Sequence, residues 1–248
     1  MKPRILLLGG TNEASRMARL LADTGADAEF SYAGRTETPI PQPLPTRIGG
    51  FGGVEGLAAY LRENAVTHLV DATHPFAAQM SRNAIAACAQ AGVKLLALER
   101  PAWLAGAGDD WREVQTLEEA AAALPVAASR IFLAIGRQGL GSFACRPEHL
   151  YLLRLVNTPG KLPLPRAEIV QARGPFTLEN DLALLRQHRI EIIVAKNSGG
   201  SGGRAKLEAA RILRLPVLML PRPAIPARDV VAEPEEAMLW LHGAERGV

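Results

Sequence analysis

Three features of the sequence predict an α/β protein with mostly parallel sheets. Short apolar runs recur along the chain, helical segments separate them, and most runs stop at glycine or at a polar loop. A continuous apolar run suits a strand buried on both faces, and a helix between two such strands makes a right-handed crossover. The pattern then restarts in the second half of the chain, so two similar lobes are expected.

Residues 4–8 form the first run, broken by Gly9-Gly10-Thr11. Ala14, Met17, Ala18, Leu20 and Leu21 follow at helical spacing and predict a helix over 12–22, ended by Thr24-Gly25. Residues 28–33 read as a second strand, closed by Gly34. A proline-rich stretch (39–45) and a glycine-rich one (47–53) precede a helix near 54–64. Residues 68–70 form a strand stopping at Asp71-Ala-Thr-His-Pro75, and an alanine-rich helix covers 76–91. Residues 94–98 form a strand that runs into Glu99-Arg100-Pro101.

The second half reads as a helix at 118–124, strands at 130–135, 150–156 and 168–171, and a helix from the N-cap Thr177 to about 188. A strand at 191–195 ends at Lys196-Asn-Ser-Gly-Gly-Ser-Gly-Gly203. A helix at 204–213, a strand at 216–220 ending at Arg222-Pro223 and a last helix at 235–242 complete it. The two halves share a strand, polar loop, helix and strand that closes on Arg-Pro. These elements predict two Rossmann-like three-layer lobes: residues 1–125, binding the cofactor, and residues 126–248, holding the substrate/cofactor cleft.

Composition narrows the function. With 48% of its 248 residues hydrophobic, the chain can bury a sizeable core. No apolar run reaches the roughly 18 residues of a membrane helix. The N-terminal run is too short for a signal peptide, so a cytoplasmic protein without a membrane partner is expected. Cys88 and Cys145 are isolated, which argues against a disulfide framework and against a metal site. The net charge is +3, carried mostly by scattered arginines with no basic run, so nucleic acid is not expected as a partner. Arginine does suit a ligand rich in carboxylates or phosphates.

Gly9-Gly10-Thr11-Asn12-Glu13 stands where such a fold receives a dinucleotide pyrophosphate, against backbone N–H groups and a helix dipole. Glu13 would repel phosphate if turned inward, so it is expected to accept from a hydroxyl. At the end of the second strand, Gly34-Arg35-Thr36 has an arginine where NAD-specific folds have an acid. Arg35 and Thr36 could clamp a 2′-phosphate, which favours NADPH. Asp71-Ala-Thr-His-Pro-Phe76 lies at the ligand-binding edge of the sheet and can donate, accept and titrate. Lys196 with Ser198, Gly199 and Gly200 occupies the matching place in the second lobe, where glycines let backbone N–H groups approach an anion. A short-chain dehydrogenase would need Tyr-x-x-x-Lys, but Tyr32, Tyr60 and Tyr151 are followed four places on by Thr36, Asn64 and Leu155.

Together these stretches resemble the precorrin-6A reductase family. The resemblance rests on 8–14, 34–36, 49–53, 71–77, Glu99-Arg-Pro101 with Trp103, Gly174-Pro-Phe176, and Lys196-Asn-Ser-Gly-Gly200 with Lys206. It implies reduction of one ring double bond of precorrin-6A to precorrin-6B in cobalamin biosynthesis, with NADPH as donor. A related enzyme of the anaerobic route takes the cobalt-containing ring and prefers NADH; a non-catalytic tetrapyrrole or nucleotide carrier is the other alternative. Under the resemblance His74 and Lys196 are the catalytic candidates. Gly9, Gly10, Thr11, Glu13, Gly34, Arg35, Thr36 and Thr73 would bind cofactor. Ser198, Gly199, Gly200, Arg100 and Arg222 would bind the acidic ring. Oligomeric state is left open between monomer and homodimer.

Overall fold

The structure, a computed structural model, describes residues 2–34, 39–157 and 160–245. The chain divides into two compact units, Met1–Pro101 with Pro223–Val248, and Ala102–Arg222.

In the first unit the strands are β1 (Arg4–Leu8), β2 (Asp27–Tyr32), β3 (Thr46–Ile48), β4 (His68–Asp71) and β5 (Lys94–Leu98). The helices are α1 (Asn12–Asp23), α2 (Gly53–Glu63) and α3 (Ala78–Ala91). In the second unit β6 (Trp111–Glu113) and α4 (Leu117–Ala122) are followed by β7 (Arg130–Ala134), β8 (Leu150–Leu155), β9 (Ala167–Gln171), α5 (Leu178–Gln187), β10 (Ile192–Lys196), α6 (Ala205–Leu213) and β11 (Val217–Leu220). The chain then returns to the first unit with β12 (Val230–Val231) and α7 (Pro234–Glu245).

Both sheets are parallel throughout, in the order β12-β5-β4-β1-β2-β3 and β6-β11-β10-β7-β8-β9. Each has the doubly wound order of a dinucleotide-binding fold, in which the winding reverses beside the first strand. The outer strand next to the fifth is exchanged. β6 follows β5 in sequence yet pairs with β11, and β12 follows β11 yet pairs with β5.

This exchange corrects the expected boundary near residue 125. The division falls after Pro101, because the segment carrying β6 and α4 belongs to the second sheet. The last helix, expected in the second lobe, packs on α1 instead. Its Ala237 and Leu241 are buried in one core with Met17, Leu21, Phe30 and Leu96. β3, β6 and β12 were not expected; at two or three residues each they are too short to show a period.

The apolar runs are continuous because both faces are covered. In β1, Ile5 and Leu7 join the core under α1 and α7, while Leu6 and Leu8 join the core under α2 and α3. Full burial of each such leucine contributes about 1.5–3 kcal/mol. In the second unit Phe132, Leu152, Ile193, Val217 and Met219 form a core with Leu185 and Leu207 of α5 and α6. Register then aligns the strand ends. Leu8 stands opposite both Ser31 and Asp71, so the loops after β1, β2 and β4 open at one edge of the first sheet. No helix among the described residues is long and apolar enough to cross a membrane.

Candidate active site

The turn after β1 is shaped by what stands beside it. A Cβ on Gly9 would lie 1.9 Å from the ring of the fully buried Phe30, so only glycine fits. Gly10 has φ +126°, and a Cβ there would meet nothing within 4 Å. Thr11 caps α1, its hydroxyl oxygen accepting from the Ala14 N–H at 3.1 Å. The same hydroxyl donates to the Ala72 carbonyl at 2.8 Å, tying the first loop to the one after β4. Thr11 is therefore occupied in holding the two loops together.

Glu13 meets Arg100. The guanidinium donates to its Oε2 at 2.5 Å, with the side chains 15% and 17% exposed. One oxygen of the carboxylate expected to serve a hydroxyl is thus taken. Arg100, expected to serve the ring, stands at the same sheet edge as the glycine turn.

In the loop after β4, Asp71 Oδ1 accepts from the Thr73 N–H at 3.2 Å and the Thr73 hydroxyl at 2.7 Å. Oδ2 faces Arg228 Nη1 at 3.7 Å, and the other arm of that guanidinium donates to Glu99 at 2.6 Å. His74 Nδ1 accepts from the Phe76 N–H at 3.2 Å. That bond requires an unprotonated Nδ1, so the ring proton sits on Nε2.

At the end of β2, Gly34 has φ +74°, and a Cβ there would come within 3.4 Å of the Gly49 backbone. Arg35 and Thr36 lie outside the described residues. Arg47 was not singled out from sequence. Its guanidinium lies over the Phe51 ring at 3.9 Å and donates to Ser31 Oγ at 3.1 Å and the Gly49 carbonyl at 2.8 Å. It holds the glycine-rich 49–53 segment against the end of β2. The signal for it was present, since Arg47 opens the glycine-rich stretch 47–53.

In the second unit the loop after β10 is braced, not slack. Asn197 and Trp103 exchange hydrogen bonds of 2.8 and 2.9 Å, and the indole N–H donates to the Gly200 carbonyl at 2.7 Å. Lys206, 6% exposed, donates to the Gly203 carbonyl at 2.6 Å and sits 4.7 Å over the Trp103 ring. Arg222 donates to the carbonyls of Asn197 and Ser198 at 3.1 and 3.2 Å. Lys196 ends β10, and Gly199 and Gly200 take φ +66° and +70°, which their lack of a side chain permits. Across the sheet Arg154 stacks 3.5 Å over the Phe176 ring and donates to the buried Asp181.

The expected residues thus gather into two groups. Gly9, Gly10, Thr11, Glu13, Gly34, Thr73, His74 and Arg100 lie in the first unit; Lys196, Ser198, Gly199, Gly200 and Arg222 lie in the second. Arg228 and Arg47 are supports that the sequence did not single out, and the pairings of Asp71 with Arg228 and of Trp103 with Asn197 were likewise not expected.

The family model for precorrin-6x reductase CbiJ/CobK matches residues 4–242. The chain belongs to the precorrin-6x reductase family. Its relatives in this family include precorrin-6A reductase of Rhodobacter capsulatus, 61% identical over 99% of both chains. Precorrin-6A reductase of Mycobacterium tuberculosis is 40% identical over 97% of this chain and 98% of its own. Cobalt-precorrin-6A reductase of Priestia megaterium is 32% identical over 94% and 96%. A solved structure described as CobK precorrin-6A reductase superposes with a TM-score of 0.94 at 60% identity, covering 99% of this chain and 98% of that one. The precorrin-6x reductase fold therefore comprises the two doubly wound sheets described above. Membership in the family makes the chain an oxidoreductase of cobalamin biosynthesis.

Proposed function

We propose that this protein reduces one ring double bond of precorrin-6A, giving precorrin-6B, with NADPH as the donor. The observation that carries this reading is the 61% identity, end to end, with a precorrin-6A reductase. The relatives named for the cobalt-containing ring are less similar, at 32% and below.

The first unit suits a dinucleotide. The winding reverses between β1 and β4, and the glycine turn there opens onto the first turn of α1, whose N–H groups have no carbonyl four residues back. Gly10 leaves its backbone open to close approach. The negative charge of Glu13, unfavourable beside a phosphate, is offset by Arg100. When bound, NADPH supplies the hydride, and the neighbouring ring carbon then takes a proton.

His74 and Lys196 are the candidates to serve that second carbon. His74 would act through Nε2–H as a hydrogen-bond donor. An imidazolium would set its Nδ1–H against the Phe76 N–H in the present rotamer, so Lys196 is the better proton source of the two. Arg100, Arg222, Ser198, Gly199 and Gly200 would meet the ring's carboxylates.

The test is to mix the purified protein with precorrin-6A and NADPH. The expected result is loss of absorbance at 340 nm and a product two mass units heavier. NADH and the cobalt-containing ring serve as competing pairs. Faster turnover with that pair would assign the chain to the anaerobic reaction. Tight binding without oxidation of either cofactor would make it a carrier.

A further inference from the structure

The hydrogen bonds around Asp71 fix the polarity of Thr73. Asp71 Oδ1 receives both the N–H and the hydroxyl proton of Thr73. A hydroxyl has one proton to give, so once it is donated at 2.7 Å the oxygen can only accept from a further partner. Thr73 is half-buried, whereas Asp71 is 3% exposed.

The carboxylate is itself held from behind. Arg228, 8% exposed, lies 3.7 Å from Oδ2 and spends its other arm on Glu99. Asp71 Oδ2 and Arg228 Nη1 are both buried and lack hydrogen-bond partners, so charge alone links them. A neutral side chain in place of Arg228 would leave the buried Asp71 carboxylate without its facing cation, whereas Arg228 keeps Glu99 if Asp71 is neutralised. A purely structural loop would not need this arrangement, since the Thr73 N–H to Asp71 bond alone closes the turn.

In a doubly wound sheet the β1-β2-β3 half takes one mononucleotide and the β4-β5 half takes the other. With the adenosine phosphate expected at the end of β2, the nicotinamide half falls to the end of β4, where Thr73 stands. The N–H donor of that half is the carboxamide amine. Resting on the NADPH reading above, we propose that Thr73 accepts a hydrogen bond from the nicotinamide carboxamide. Asp71 and Arg228 are the positioning residues that keep Thr73 an acceptor.

Binding measurements test this without turnover. The probes are NADPH, its 3-acetylpyridine analogue, whose methyl ketone lacks the amine, and 2′,5′-ADP, which lacks the nicotinamide half. Loss of one hydrogen bond predicts that Thr73→Val weakens NADPH about 5- to 10-fold. The same variant should leave the analogue and 2′,5′-ADP unchanged, and Thr73→Ser should restore NADPH binding. Asp71→Asn should narrow the preference for NADPH over the analogue while 2′,5′-ADP binds as before. Equal weakening of NADPH and analogue by Thr73→Val, or no weakening of NADPH, would overturn the proposal while leaving the cofactor reading intact. Failure of the unaltered protein to bind NADPH would overturn both. Should Asp71→Asn not fold, the two Thr73 variants still decide.

Discussion

Glu13 and Arg100 form an ion pair of 2.5 Å that joins the first turn of α1 to the segment after β5. It puts a cation beside the one acidic side chain of the glycine turn, 87 residues away in sequence. Removal of Arg100 leaves the Glu13 carboxylate largely buried without the guanidinium that faces it. Arg100→Met should therefore lower unfolding free energy by about 1–3 kcal/mol in urea titration. Glu13→Gln with Arg100→Met should cost less than the two single changes added together. Strict additivity would mean the pair contributes nothing as a pair.

Gly9 is packed under Phe30, and the space allows no Cβ. Gly9→Ala should destabilise the first unit by roughly 1–3 kcal/mol, the range for overpacked cores. Adding Phe30→Leu should recover part of that loss, because it removes the ring the methyl meets. A thermal melt of Gly9→Ala indistinguishable from the unaltered protein would contradict the geometry.

Arg35 is proposed to hold the 2′-phosphate that distinguishes the two nicotinamide cofactors. Arg35→Ala should raise the KM for NADPH at least ~10-fold while changing that for NADH little, since a charge-assisted hydrogen bond contributes about 1.5–3 kcal/mol. Equal changes for both cofactors would remove Arg35 from that role.

Burial holds the imidazoles of His68 and His149 below their ordinary value of 6.5. The folded chain keeps them neutral where the unfolded chain binds protons. Their stabilisation is complete above pH 6.5 and is lost as pH falls through the folded values. Unfolding free energy should decline from pH 7 to 5.5, by at most about 1.4 kcal/mol per pH unit for each histidine. His149→Asn should make that slope shallower, the asparagine oxygen replacing Nδ1 as acceptor for the Ser129 N–H. An unaltered slope in the variant with both histidines replaced would refute the assignment.

Trp103 braces the glycine loop of the second unit through its indole N–H and through Asn197. Trp103→Phe keeps most of the apolar contact and removes the bond to Gly200. Amide hydrogen exchange at 198–203 should quicken while the amides of β10 and β11 keep their protection. Unchanged exchange in the loop would show that the indole bond does not restrain it.

The long elements were legible because each signal is local. β1, β7 and β10 announce themselves as unbroken apolar runs ended by a glycine or polar loop, and Thr177 marks the start of α5 by its own side chain. The candidate site was read from strand ends, at Gly9 to Thr11, at Asp71 to His74 and at Lys196 to Gly200. The rest depends on residues far apart. Arg228 reaches Glu99 across 129 positions, and Trp103 reaches Asn197 across 94. Neither pairing leaves a trace in spacing. β6 and β12 were missed for the same reason, since their partners, not their composition, make them strands.

The strand exchange also bears on how the molecule is made. α7, whose Ala237 and Leu241 finish a core begun by Ile5 and Leu7, leaves the ribosome after the whole of the second unit. The amino-terminal module must wait, incompletely covered, while the whole of the other is synthesised and can already fold. A nascent chain stalled anywhere before residue 230 therefore exposes an unfinished edge along β5, and such truncated products should be the preferred clients of chaperones and proteases.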